Sequence, residues 1–261
     1  MRRYWTIYRT FFVSSFAREL EFRANFFAKV AQNVVWIFFF LLILLVIYRN
    51  TNSVAGWSRG DAFILSATCF LMNSFSQAMF FSLMEIPSQV RLGTLDFVIT
   101  KPIDTQFWVS TRRFNFDQIG TLIAGVVMVT IGVTTSGLHP GLLQWFAYVV
   151  LVACSLAMFY AFQLFLMTTG IWLVRVDNLW VLGESVMQVS RFPLDIYQGG
   201  IQRFFTFMLP LAFIATIPAK QLVKGFDGQM LLLGIVWAAV TLVATRAFWR
   251  FAMRHYTSAS S

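Results

Sequence analysis

The sequence is poor in charged residues, which occupy 12% of its 261 positions. Soluble domains carry about 25%, so an ordinary soluble fold is excluded. Cysteine is also scarce. Cys69 and Cys154 each lie inside an apolar run without a C-x-x-C partner, which indicates small buried side chains rather than a disulfide framework or a metal site.

No Gly-Lys dipeptide occurs, so the sequence lacks the phosphate-binding G-x-x-x-x-G-K-[ST] loop. We therefore expect a non-catalytic chain that binds no nucleotide, metal or other cofactor. If it moves a substrate uphill, the energy must come from a second protein or from an ion gradient.

Apolar residues dominate instead: 58% of the chain is hydrophobic, with thirty Phe and nine Trp. This composition predicts an all-α, polytopic membrane protein with one membrane domain over residues 1–261. The net charge of +9 would suggest nucleic acid in a soluble protein. Here Lys and Arg flank apolar segments, where they orient helices and contact lipid head groups, so we expect membrane lipid and no nucleic acid as a partner.

Six segments approach the ~20 apolar residues that a membrane-spanning helix requires. They are Phe26–Tyr48, Asp61–Leu83, Phe116–Thr135, Leu142–Val174, Leu179–Arg191 with its continuation, and Gln229–Phe248. We expect the first to remain as an anchor. The fourth is longer than a bilayer needs, which predicts tilt.

The distribution of Lys and Arg predicts that both termini are cytoplasmic. With the N-terminus inside, fourteen of the twenty basic residues fall inside and six outside, among them Arg191. The two histidines, His139 and His255, then lie on opposite sides, which argues against a Ser-His-Asp triad or a histidine metal site. A bacterial inner membrane is the expected location.

Residues 1–25 form a candidate amphipathic helix at the membrane interface. Aromatic side chains recur at helical spacing, with charged residues between them: Trp5, Tyr8, Phe12 and Phe16 against Arg2, Arg9, Arg18 and Glu21. This pattern is typical of a helix that lies in the interface plane. A plain cytoplasmic lead-in is the alternative.

The segment Phe192–Lys224 is apolar but interrupted by Pro193, Pro210 and Pro218. Non-helical backbone at membrane depth must be covered by protein or line a cavity. Two short helices re-entering from the outer side fit best. A seventh span is the alternative, but it would move the basic C-terminal end outside.

Polar residues within spans are costly and tend to face an interior. Ser66, Asn73 and Gln77 share one face of the second span, Glu184, Gln188 and Arg191 share one face of the fifth, and Gln163 lies in the fourth. They either line a translocation path or form hydrogen bonds that serve packing alone. The sequence leaves both alternatives open.

The most polar internal stretch runs from Glu85 to Arg113 between the second and third spans. Pro87 favours a helix start and Lys101-Pro102 a helix stop. Leu92, Leu95, Val98 and Ile99 would form an apolar side, and Gly93 would allow another backbone to approach closely. We predict a short amphipathic helix on the cytoplasmic surface. An ordinary solvated loop is the alternative.

The stretch RLGTLDFVITKPIDTQFW, residues 91–108, resembles the segment after the second span in ABC-2-type permeases, in a bacterial subgroup with a G-x-L-D…L/I-x-K/R-P pattern. FPLDIY at 192–197, Leu209-Pro210 and Ile217-Pro218 resemble the outer segment of that subgroup. The order of spans also agrees, so the resemblance covers essentially the whole chain.

The resemblance implies a permease of an ATP-driven exporter, paired with an identical or paralogous permease and with two cytoplasmic ATPase subunits that hold ATP and Mg. It implies that residues 1–25 are a connecting helix and that the ATPase docks on Gln89, Val90, Arg91, Leu92, Gly93, Thr94, Leu95 and Asp96. The implied outer gate contains Pro193, Asp195, Tyr197, Pro210 and Pro218.

Two other functions are weighed against this one. An ion-coupled secondary transporter or channel could use the polar stripe around Glu184, but the chain lacks the inverted repeats typical of that class. A membrane enzyme acting on lipid lacks a plausible catalytic cluster. The sequence does not identify the substrate.

Overall fold

The computed structural model describes residues 2–21, 23–173, 179–208 and 211–257. Apart from one β-hairpin, its regular elements are helices. The longer ones are α1 Arg2–Glu21, α2 Arg23–Arg49, α3 Arg59–Met79, α7 Ile119–Thr135, α8 Leu142–Thr169 and α13 Gly228–Arg254. The remaining ones are α4 Ile86–Arg91, α5 Asp96–Ile99, α6 Thr105–Thr111, α9 Leu179–Val189, α10 Gly199–Arg203, α11 Leu211–Ile214 and α12 Thr216–Val223.

Five helical segments within the described residues are long and apolar enough to cross a membrane. They are Ala31–Arg49, Arg59–Met79, Phe116–Thr135, Leu142–Thr169 and Gly228–Arg254. These agree with five of the six predicted spans, although the second ends at Met79 rather than Leu83. The predicted end of the fourth, Val174, lies outside the described residues. The chain is therefore an all-α, multi-pass membrane protein.

The sixth predicted span, Leu179–Arg191, contains only the 11-residue helix α9. At 1.5 Å per residue such a helix extends about 16 Å, roughly half of a hydrocarbon core. After it the chain turns at Ser190 and Arg191, whose N–H groups donate to the carbonyls of Met187 and Gln188. The described part of this segment does not reach across a bilayer as one helix.

Glycines allow α3 and α7 to pack closely. A Cβ at Gly125 would lie 3.0 Å from the Cα of Leu71, and one at Gly132 would lie 2.8 Å from the Phe63 ring. Small residues at such contacts are typical of helix pairs in membranes, where close van der Waals contact replaces the hydrophobic effect. Gly234 of α13 faces Leu151 of α8 in the same way, at 2.5 Å.

Buried side chains form two large clusters. One lies among α3, α7, α8 and the segment 211–222, and includes Trp57, Met72, Phe159 and Phe213. The other joins residues 83–109 to the ends of α8, α9 and α13, and includes Leu95, Leu164, Trp180 and Trp249. We call the end of the molecule with residues 85–113 the coupling end and the opposite end the outer end.

A two-stranded hairpin connects α2 to α3 at the outer end. Strand β1, Ser53–Val54, pairs with β2, Trp57–Ser58, and the turn residues Ala55 and Gly56 both have positive φ, 50° and 78°. Two positive φ values are characteristic of the type I′ turn, which suits the twist of a hairpin. Ser58 then caps α3 in a reciprocal capping box with Asp61.

The outer segment is broken into short pieces, as its prolines predict. A 3₁₀ turn at Leu194–Ile196 leads to α10, a π-helical stretch Phe204–Met208, α11 and α12. Residues 211–219 are all buried, and the Ser155 hydroxyl of α8 donates to the Phe213 carbonyl. Protein therefore covers this irregular backbone. Pro210 lies outside the described residues.

Candidate functional site

The segment predicted as one amphipathic helix consists of two. Helix α4 ends at Arg91, a turn follows, and α5 begins at Asp96. Gly93 breaks the helix because its φ of +67° lies in the left-handed region, which glycine adopts without strain. A Cβ at Gly93 would meet no atom within 4 Å. The glycine thus serves the turn, and among the described residues no backbone atom lies within 4 Å of that Cβ position.

The two short helices and the turn between them bury some of their apolar side chains and expose others. Leu95 is fully buried, and Val90 and Val98 are 5% and 4% exposed. Leu92 and Phe97, in contrast, are each 71% exposed. The prediction of one apolar side is wrong for Leu92 and Ile99, which point away from the core, because the turn at Gly93 changes the helical register. The sequence pattern did not identify Phe97 as part of the exposed surface.

The remaining predicted docking residues divide in the same way. Gln89 is 7% exposed and donates through Nε2 to Glu85 at 3.4 Å. Thr94 donates its hydroxyl to the Gln89 carbonyl at 3.4 Å, within the turn. Arg91 and Thr94 are exposed, while Gly93 and Asp96 are half-buried. The accessible part of the predicted surface is therefore Arg91, Leu92 and Thr94.

One ion-pair group connects the two ends of residues 85–113, and a second joins this stretch to α13. Glu85 pairs with Arg113 and, at 3.7 Å, with Arg112. Asp104 pairs with Arg246 of α13 and caps α6 by accepting from the Phe107 N–H at 2.9 Å. The hydrogen bond from Arg246 is the main reason why the pKa of Asp104 is below its usual value, with partial burial acting in the opposite direction.

Helix α1 packs through its aromatic side chains on residues 104–116. Tyr4 stacks edge-on against Phe107, Phe11 against Trp108, and Phe12 against Phe116. The Phe114 N–H donates to the Ser15 hydroxyl at 3.2 Å. The predicted aromatic face thus contacts protein in part, whereas Trp5 is 67% exposed. The interfacial position of α1 stays a prediction.

Several predicted path residues line one polar cavity of about 490 Å³ among α2, α3, α9 and the start of α7. Its polar wall residues include Asn73, Gln77, Gln188 and Arg191. Asn33 and Asn115, from segments at the coupling end, line the same cavity. Arg191 was predicted outside. Because α9 is short, the Arg191 side chain instead shares a cavity with residues of the coupling end.

Glu184 and Gln163 are not among the residues that line that cavity. Glu184 is half-buried and accepts from Asn73 Nδ2 at 3.4 Å through Oε2, while Oε1 has no hydrogen bond within the described part of the chain. Gln163 is fully buried, and neither of its amide atoms has a described partner. It faces α9, where a Cβ at Gly183 would lie 2.2 Å from Gln163 Oε1.

Asp195 joins three elements at the outer end. Its carboxylate accepts from Trp57 Nε1 at 2.8 Å, Lys220 Nζ at 2.7 Å and Gln202 Nε2 at 3.4 Å. Tyr197 stacks against Phe205, and Pro218 is buried within α12. The sequence reasoning identified Asp195 but not Trp57 or Lys220, because no local spacing relates residues so far apart.

Residues 56–60, Gly-Trp-Ser-Arg-Gly, match the G-x-S-x-G pattern of serine hydrolases. Here the Ser58 hydroxyl accepts from the Asp61 N–H as a helix cap. No group of three or more metal-binding side chains is present among the residues described. The role of Ser58 as the N-cap of α3 therefore accounts for this serine structurally.

A family model, described as ABC-2 family transporter protein, matches residues 34–260. The chain belongs to the ABC-2 transporter family. Members are typically non-catalytic membrane subunits of transporters that work with an ABC ATPase. As an ABC-2-type permease, this multi-pass chain is a transport protein. No curated protein and no solved structure matches it.

Proposed function

We propose that this ABC-2 permease forms the translocation path of an ATP-driven exporter, with Arg91, Leu92, Thr94 and Phe97 as its ATPase contact. The path requires a second permease, identical or paralogous, and each permease docks one of two ATPase subunits that bind ATP and Mg. The chain spans the inner membrane of a bacterium, and both of its termini face the cytoplasm.

One observation carries the proposal. Leu92 and Phe97 are each 71% exposed and Ile99 is 42% exposed, on a segment whose Val90, Leu95 and Val98 are buried. This segment shares a core cluster with the ends of α8, α9 and α13. A partner bound at Leu92 would therefore push on a packed unit rather than on a loose loop, since packed interiors transmit displacement.

The experiment compares aspartate substitutions in the tagged chain co-expressed with its cognate ABC ATPase. Leu92→Asp and Phe97→Asp place a charge on the exposed surface without touching the core, so the permease should fold normally and lose most co-purifying ATP hydrolysis. Thr51→Asp, exposed at the outer end, is the matched control. Normal ATPase recovery with both surface variants would contradict the docking surface.

The path would include the polar cavity lined by Asn73, Gln77, Gln188 and Arg191. Cysteine substitution at Gln188 should give a thiol that a membrane-impermeant reagent modifies, with a rate that changes when the ATPase binds ATP. The same substitution at Val181, exposed on α9, provides the control. Identical rates with and without ATP would argue against a path here.

Ion coupling is the second candidate, and the half-buried Glu184 carboxylate beside Asn73 is the observation that favours it. Glu184→Gln keeps the shape but removes the ionisable group. If transport depends on ATP hydrolysis alone, this variant should keep its dependence on ATP and show no change in response to a proton gradient. Transport driven by a gradient without ATPase would favour the ion-coupled alternative.

A further inference from the structure

A cavity of about 660 Å³ lies at the coupling end, separate from the polar cavity around Arg191. Its apolar wall comes from α3, α8 and α13, through Phe75, Met79, Leu156, Ala157 and Leu242. Ligand pockets of a few hundred Å³ are typically apolar with a few placed polar groups. This cavity has that composition.

Its polar rim is ordered by hydrogen bonds. Arg246 Nη1 donates to Asp104 Oδ1 at 3.0 Å and to Gln106 Oε1 at 2.6 Å, and Gln106 Nε2 donates to the Tyr160 hydroxyl at 3.1 Å. The Ser110 and Tyr160 hydroxyls are 2.7 Å apart. The side chains of Arg246 and Asp104 keep 32% and 33% of their surface exposed, so a ligand can reach both.

We propose that this cavity binds one phospholipid of the adjacent leaflet, with an acyl chain against the apolar wall and a zwitterionic head group at the Asp104–Arg246 pair. The apolar wall belongs to helices that are long enough to span a bilayer, while the rim combines the polar segment after α5 with Arg246 of α13 and Tyr160 of α8. An occupant must therefore satisfy hydrocarbon and head-group surroundings at once, which a bilayer lipid does.

The pair of opposite charges selects the head group. A phosphoethanolamine group carries a phosphate and an ammonium two carbons apart, which complement the guanidinium of Arg246 and the carboxylate of Asp104. Phosphatidylglycerol offers the phosphate alone, and its negative charge would face Asp104 without an ammonium to compensate. The bound lipid would bridge α13 and the segment 104–114, and so support the packing of the coupling end.

Native mass spectrometry of the full-length, delipidated chain in detergent tests this directly, with phosphatidylethanolamine or phosphatidylglycerol of identical acyl chains added back. We expect one phosphatidylethanolamine to bind preferentially. Ala157→Trp fills the cavity and should weaken that binding about tenfold, because displacing two methylene groups already costs that much. Ala153→Trp, exposed one turn earlier on α8, should bind as the parent does.

Asp104→Asn tests the head group, since removal of the carboxylate should abolish the preference for phosphatidylethanolamine while some binding of both lipids remains. Equal binding by the parent and Ala157→Trp would overturn the site. Equal binding of both lipids by the parent would overturn the head-group selection. If Ala157→Trp does not fold, Ala157→Leu, which fills less of the cavity, is used in its place. The assay needs no ATPase, so its outcome is independent of the proposed export function.

Discussion

The Trp57 indole donates to the Asp195 carboxylate over 2.8 Å, so the hairpin between α2 and α3 is bonded to the outer segment that precedes α13. Trp57 is completely buried, and Lys224 lies 5.3 Å from its ring centroid. The sequence separation is 138 residues. This contact holds the two parts of the outer end in one arrangement.

Trp57→Phe should destabilise the chain by about 1–3 kcal/mol, because it removes a hydrogen bond to a charged acceptor and leaves a small void. The measurement is the free energy of unfolding in detergent. Trp36→Phe, at a site that is 60% exposed on α2, should change little. A double-mutant cycle with Asp195→Asn isolates the pair, and additive effects would contradict direct coupling between the two residues.

Gly93→Ala should reorient the exposed surface at Leu92 through backbone strain alone. A left-handed alanine costs about 1–2 kcal/mol, and nothing lies near the added methyl group. Asparagine tolerates this conformation better, which makes Gly93→Asn the matched control. We expect the alanine variant to lose more ATPase stimulation than the asparagine variant. The reverse order, or equal loss in both, would show that side-chain size rather than φ matters.

Acid should weaken the Asp104–Arg246 contact. Because the pKa of Asp104 is lowered in the folded chain, its stabilising contribution is complete above the unfolded pKa of about 3.9 and is lost as pH falls through the lower folded value. Between about pH 5 and 8 the contribution is constant. The unfolding midpoint of Asp104→Asn should therefore approach that of the parent in acid. A constant difference down to pH 3 would contradict this assignment.

The sequence predicted the long helices well because their signal is local. Apolar runs such as Leu142–Thr169 have too few polar groups to be anything but membrane helices, and the ends follow from Gly and Pro. The hairpin at Ser53–Ser58 escaped prediction because strands of two residues carry no periodicity. The turn at Gly93 escaped because a positive φ leaves no trace in the apolar pattern.

The site was predictable in composition but not in geometry. Asn73 and Gln77 were expected on one face of the second span and Gln188 on one face of the fifth, and all three line one cavity. Arg191 was misplaced because span counting assumed that α9 crosses the membrane. Contacts such as Arg246 with Asp104 depend on tertiary packing between distant segments, which a single sequence does not reveal.

Gln163 distinguishes a packing role from a path role. It is fully buried without a described hydrogen-bond partner, and an unpaired buried amide costs about 1–3 kcal/mol. Gln163→Met, which conserves length and flexibility, should therefore raise the unfolding midpoint while transport continues. If the variant folds normally but transport stops, the amide belongs to the path and the cost is tolerated for function.

Gly183→Ala completes that test from the facing helix. Its methyl group would overlap Gln163 Oε1, at 2.2 Å from an ideal Cβ, so α9 must shift or the glutamine must turn. We expect a loss of roughly 1–3 kcal/mol, as for other overpacked cores. Gln163→Ala should restore most of it, since truncation removes the overlapping atoms. Failure of that rescue would mean that Gly183 is required for the helix α9 backbone itself and not for contact with α8.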